Sequence, residues 1–484
     1  MLLRLGANVS SKDNKGVCLL HWAVQGGDTC IINTMLSLGL ETDSRNNDGV
    51  TPLIRAALRG KQSAFQLLIQ NGADLTLEDN DGCSLLHKAT QGGNTSIVNE
   101  LLSLGLDRDS RNNYGGTPLM VAACWGKQST FELLLKHGAE ASLKDNLGNC
   151  LLHWVAQGGD TSIIIKMLRL GLDVDSRNNA GGTSLMKAAY SSKEIAFQQL
   201  IQNGAEPFLK DNGGNSMLHN ALQGGNASII DSVLSLGLTI DLGKDHSVTP
   251  LITAANRGDQ SAFEMLLQRG ADAFLTCDHG NCLLHFAAQG GNTSIIDKLL
   301  SLSLEPDSRN NATGATPPMK ATFSGKESAF QLLIQNGAGP SLKDNDGFSL
   351  LHKATKGGNT SIINKLLSLG LDVDSRGSTG VTPLMTAALG GKKGAFEMLL
   401  QRGADSSLKD SDGVCVLHFA AEGGDMFIIN KLYHLVFKDL WGKTPLISEM
   451  NKNNSEAAKL SISKEAEKSA LDCEQSLFYP KLFK

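Results

Sequence analysis

Seven histidines stand at positions 21, 87, 153, 219, 285, 352 and 418, in the setting Cys/Ser-Leu/Met/Val-Leu-His. A histidine beside a serine or cysteine is the raw material of nucleophilic catalysis, where imidazole takes the proton from an attacking hydroxyl or thiol. Here, however, the histidines recur at 66 or 67 residues, too far apart to converge, and no Ser-His-Asp or Cys-His set stands out from the repetition. Cys18, Cys150, Cys282 and Cys415 recur at 132 or 133 residues and cannot share a metal or a bridge in an extended array. The close pair Cys277 and Cys282 has no further ligands at zinc spacing. All nine cysteines are expected to be reduced thiols.

Two other chemistries fail on spacing. Gly-Lys-Gln-Ser at Gly60–Ser63 and Gly126–Ser129 lacks the Ser or Thr directly after Lys and the earlier glycine of a phosphate loop. Asp79-Asn80-Asp81-Gly82, Asp344-Asn345-Asp346-Gly347 and Asp410-Ser411-Asp412-Gly413 suggest calcium loops. With glycine at position six, position one becomes Leu77, Leu342 or Leu408. Position twelve becomes Lys88, Lys353 or Phe419, where a bidentate Glu is required. No catalytic residue, cofactor site or metal site is assigned.

The elements that carry these residues explain their regularity. A four-residue motif begins at Cys18, Thr51, Ser84, Thr117, Cys150, Thr183, Ser216, Thr249 and Cys282, a constant step of 33. It continues at Thr316 after 34 residues, then at Ser349, Thr382 and Cys415, and at Thr444 after 29. Within one unit, Asp79–Gly82 suits a tight turn. Ser84 through Ala89 opens a short helix, Gly92-Gly93 breaks it, and Asn94 or Thr95 caps a second helix that Gly105 ends. Neither helix buries its apolar face alone, so neighbours must stack. Units alternate between a Leu-Leu-His form and a Thr-Pro-Leu-Met form, giving a 66-residue pair and a 132-residue block that looks like duplication.

Thirty-three residues with Thr-Pro-Leu-His-x-Ala resembles the ankyrin-repeat family, over residues 1 to about 460. The resemblance implies an all-α solenoid of stacked helix-turn-helix units with short β-hairpin-like loops. It also implies that each histidine makes structural hydrogen bonds, and that function is protein binding on a concave face rather than catalysis. The expected organisation is a partial repeat at 1–12, a block of nine at 13–310, a second block at 311–460 and a tail or degenerate cap at 461–484. The joint is expected at 303–318, because Ser303 replaces the helix-ending glycine and Pro317-Pro318 replaces the buried leucine of the motif. A second distortion is expected at 434–442, where Val436 replaces that glycine.

Composition agrees with a binding protein. With 44 basic and 49 acidic residues the net charge is −5, which gives no footprint for nucleic acid or an anionic membrane. No stretch approaches 18 apolar residues, so membrane insertion is not expected. Arg4 and Gly6 break the initial apolar run, against a signal-peptide core. A cytoplasmic monomer is expected, with the nucleus an open alternative location. Because Met1 falls inside a second helix, the chain is expected to be a fragment or alternative start of a longer protein.

On the first helix the motif's leucine and the alanines at i+3 and i+4 share one face, whereas i+2 and i+5 point about 200° and 140° away. The Leu-Leu-His units carry Trp22, Trp154, Phe286 and Phe419 at i+2. The other units carry Leu58, Tyr190, Phe323 and Leu389 at i+5, with Trp125 beside Cys124. These nine residues are the candidate contacts for a protein partner, since aromatics are enriched at binding hot spots. Alternative functions are an elastic tether, or the regulatory ankyrin part of a larger signalling or channel protein.

Overall fold

The computed structural model describes residues 11–432 apart from 239, 241–242 and 244–247. Among the described residues it holds 26 α-helices in thirteen pairs, from Leu19–Gly26 to Met426–Leu432. The chain divides into two compact units, Met1–Thr239 and Ile240–Lys484. The first holds seven of the helix pairs and the second holds six. The expected partial repeat lies almost wholly, and the tail and the 434–442 distortion wholly, outside the described residues.

Each helix starts and stops for local reasons. In the Thr-Pro units Thr51, Thr117, Thr183, Thr249 and Thr382 accept the N3 backbone N–H on their side chains. Where proline follows, it fits the first turn because that position needs no N–H. In the Leu-Leu-His units the first helix ends on a left-handed glycine such as Gly93, φ 80°. Between units the chain turns through a hairpin. Asp79 Oδ1 accepts the N–H groups of Asp81 and Cys83, and Gly82 takes φ 72°. Isolated antiparallel bridges such as Thr276 with Cys282 and Lys343 with Ser349 close some of these loops.

Stacking then supplies the core. In the first unit Pro52–Arg59 packs on Leu85–Gly92, and Gln62–Gln70 on Thr95–Ser103. In the second, Leu283–Gly290 packs on Pro317–Phe323, and Thr293–Ser301 on Glu327–Gln335. Leu86 and Ala89 are fully buried, as their helical spacing requires. Phe65, Phe131 and Phe197 fill the same position of alternate second helices in the first unit, and Phe263, Phe330 and Phe396 do so in the second. Burying one such ring stabilises the fold by about 2–3 kcal/mol. Hairpins are stitched as well, since Asn80 donates through its backbone N–H to Asp48 and through Nδ2 to the Asn47 carbonyl.

Two expectations need correction. Ser303 does not redirect the chain. It takes φ 66°, the left-handed conformation that glycine adopts at its equivalents, so the path is kept and the strain is local. The extra residue of the 34-residue step sits in the following turn. There Asn310 N–H donates to Ala315, five residues on, whereas Asp145 N–H donates to Asn149, four on. The second correction concerns Asn94 and Asn359, whose side chains do not cap their helices. Their Nδ2 groups reach back to the Ala57 and Thr322 carbonyls of the preceding repeat. Helix packing continues through 303–318, and the division between compact units falls at 239/240.

Candidate functional site

The seven histidines occupy a position that explains their chemistry. His87 Nε2 lies 2.9 Å from the Gly116 carbonyl, so it must carry the proton. Nδ1 is therefore the acceptor, and takes the Ser84 hydroxyl at 2.8 Å and the Ser84 backbone N–H at 3.3 Å. The same clamp joins Cys150 and His153 to Gly182, at 3.1 and 3.0 Å. In the second unit it joins Ser349 and His352 to Val381, at 2.9 and 3.0 Å. In His21, His87, His153, His285 and His352 both ring nitrogens are thus spent, one on the helix's own cap and one on the next repeat.

Burial sets the ionisation of these groups. It lowers His87 and pulls His285 and His352 down to about 4, against the raising effect of their carbonyl partners. Burial pushes the Cys18 thiol up, yet the adjoining His21, through hydrogen bonding and charge that favour the thiolate, outweighs it and brings Cys18 down to about 7. The turn aspartates are likewise committed. Lys88 lies 2.6 Å from Asp79, and Lys353 lies 2.5 Å from Asp344. Among the described residues no group of three or more His, Cys, Asp or Glu converges as metal ligands would.

The candidate contact residues divide by exposure. Trp22, Trp125, Tyr190, Phe323 and Leu389 are 42–57% exposed. Leu58, Trp154, Phe286 and Phe419 are half-buried. The half-burial of Trp154 has a polar cause, because its indole N–H donates to Asp145 Oδ2 at 3.0 Å. Arg55 stands over the Trp22 ring at 5.7 Å, and Lys187 over the Tyr190 ring at 5.9 Å.

Two of the nine are brought together in the first unit. A cavity of about 300 Å³ lies between hairpin tips and first helices, walled by Tyr114, Leu147, Trp154 and Lys187. A second, of about 220 Å³, shares Lys187 and is walled by Tyr190, Asn220 and Gln223. Trp125 is elsewhere, beside a shallow recess with Gly158, Asp160 and Lys193 at the loop between paired helices. Within the first unit Trp125 therefore lines a different recess from Trp154 and Tyr190.

Sequence reasoning missed Tyr114 and Leu147, which are 62% and 68% exposed. They occupy the turn position held by Asp48, Asp81, Ala180 and Gly213 in neighbouring repeats, and that column carries the signal. It also missed Lys187, whose meaning depends on which residue the adjacent hairpin offers it.

Among the described residues no helix is long and apolar enough to cross a membrane. The family profile of three-copy ankyrin repeats matches overlapping segments from 1–79 through 56–145, 130–211, 185–277 and 251–344 to 319–410. No curated protein matches the chain. With the repeat signature matched from residue 1 to 410 and thirteen stacked helix pairs among the described residues, the chain belongs to the ankyrin-repeat family.

Proposed function

We propose that the chain is a non-enzymatic scaffold or adaptor that holds partner proteins against its first helices and hairpin tips. Ankyrin repeats are in general protein-interaction modules. The observation that carries the reading is the exposure of large apolar side chains where stacking does not need them. Trp125 is 57% exposed, Tyr190 51% and Phe323 48%, while Phe65, Phe131, Phe197, Phe263, Phe330 and Phe396 of the second helices are buried. Large aromatic side chains left exposed are the residue types enriched at interaction hot spots. A reducing compartment such as the cytoplasm suits the clamp, because Cys18, Cys150, Cys282 and Cys415 hold their histidines through free thiols.

The test compares the full chain with the triple variant Trp125→Ala, Tyr190→Ala, Phe323→Ala as bait in affinity capture. Proteins that the parent retains and the variant loses, at unchanged melting temperature, support the reading. Identical retention by both, or collapse of the variant's fold, counts against it.

A further inference from the structure

We infer that the paired cavities around Lys187 are a docking groove for an extended acidic peptide segment. This deepens the protein-binding reading and rests on it. The segment places an Asp or Glu side chain on Lys187 and a large apolar side chain between Tyr114, Leu147 and Trp154.

The argument begins with a missing counter-ion. Lys88 and Lys353 occupy the same helix position as Lys187, and each reaches an aspartate of its own hairpin, Asp79 and Asp344. The hairpin of Lys187 instead carries Asn178, which is neutral and already bonded. Its Oδ1 accepts from Ala180 and Gly182, and its Nδ2 donates to Asn149. Two carboxylates flank the groove, and both are saturated by other donors. Asp145 accepts the N–H groups of Leu147 and Asn149, the Asn149 amide and the Trp154 indole. Asp211 accepts the N–H groups of Gly213 and Asn215 and the Asn215 amide. Lys187 makes no ion pair among the described residues, and its ammonium leans on the Tyr190 ring. A lysine that leans on one aromatic ring and makes no ion pair, beside carboxylates already taken up by other donors, favours an incoming carboxylate.

The walls define the rest of the ligand. The Tyr114 hydroxyl donates to Asp81 at 3.3 Å, which fixes that ring at the cavity edge. Leu147 and the half-buried Trp154 complete an apolar recess of about 300 Å³, enough for one leucine- to phenylalanine-sized side chain. The groove continues past Lys187 into the cavity beside Tyr190, Asn220 and Gln223, so a bound chain runs on both sides of the lysine. That continuity selects an internal acidic residue over a chain terminus. One ammonium beside Asp145 matches a single carboxylate and disfavours a dianionic phosphate.

The experiment pans displayed random twelve-residue peptides on the full chain and on the Lys187→Glu variant. Peptides selected by the parent should carry Asp or Glu close to Leu, Ile, Phe or Trp. By fluorescence polarisation they should lose about tenfold or more in affinity on Lys187→Ala, the scale of one hot-spot contact. Replacing their acidic residue with lysine should restore binding to Lys187→Glu. Selected peptides without an acidic residue, or with equal affinity for parent and Lys187→Ala, overturn the assignment. If such peptides weaken on Trp125→Ala or Phe323→Ala, protein binding stands and only the Lys187 groove fails. A selection that enriches nothing counts against both.

Discussion

His87 and Gly116 are 29 residues apart in the chain and 2.9 Å apart in space, joined by an Nε2–H that leaves one repeat and ends in the next. Breaking that bond leaves a buried carbonyl without a donor and the Ser84 cap without its acceptor. His87→Ala should therefore cost about 2–4 kcal/mol, as loss of a buried bridging group does. His87→Gln, which can still donate to Gly116, should recover part of it. Urea melts of the three proteins measure the difference, and equal midpoints would show that the clamp adds nothing.

The same clamps make stability depend on pH with a definite sign. His285 and His352 have folded values near 4, below the ordinary 6.5. Between those limits the unfolded chain binds protons that the folded chain refuses, so stability rises with pH there. It is fully present above about 6.5 and drains as pH falls toward 4, by up to about 3 kcal/mol per histidine. Melts at pH 7.5 and 5.0, at matched ionic strength, should show the loss. His352→Gln should shrink it, and a pH-independent parent would refute the account.

Aromatic residues of this chain are of two kinds, separable by stability alone. Phe197 is 2% exposed in its second helix, and Tyr190 is 51% exposed on the first. Phe197→Ala should cost about 3–5 kcal/mol, while Tyr190→Ala should stay within about 0.5 kcal/mol. Thermal melts decide it. A large loss for Tyr190→Ala would make that residue part of the core and remove it from any binding surface.

What could be read in advance follows from which interactions are periodic. Leu86, Ala89 and Phe197 face inward because helical spacing puts them there, and a 33-residue period repeats the result. The site depended on departures from the period. Lys187 and Lys88 are the same residue at the same position, and what separates them is Asn178 against Asp79 nine residues earlier. Asn94 and Asn292 are also the same residue at the same cap. Asn292 caps its helix with ψ 112°, whereas Asn94, with ψ 86°, does not. That difference lies in backbone geometry, and no residue code announces it.

Glycines of the Gln-Gly-Gly break mark a close approach of backbone to backbone. A Cβ on Gly158 would lie 2.3 Å from the Cys124 carbonyl oxygen, which belongs to the packed backbone of the preceding repeat. Gly158→Ala should therefore force the repeats apart at a cost of about 1–3 kcal/mol, as overpacking does. Melting curves of parent and variant test it, and an unchanged midpoint would reject the close-approach argument.

Ser303 and Pro318 locate the last test, which concerns where the second unit is weakest. Ser303 holds φ 66° with a Cβ that glycine lacks, a strain of about 1–2 kcal/mol. Thirteen residues on, Thr316 makes no side-chain cap bond, unlike the Thr caps of the other Thr-Pro units. Pro318 is buried where those units place leucine, and Thr322 turns its hydroxyl onto the Pro318 carbonyl. Helix packing through this segment is unbroken, so any joint here arises from these local costs and not from lost contacts between helices. Ser303→Gly should stabilise by about 0.5–1 kcal/mol, the strain relieved less the entropy glycine loses on folding. Pro318→Leu should add about 1 kcal/mol by restoring apolar contact. Limited proteolysis should cut within 303–318 before the other described loops, and the double variant should slow that cut. First cleavage elsewhere, or an unchanged rate in the double variant, would sink the joint and leave the repeats on either side as one cooperative block.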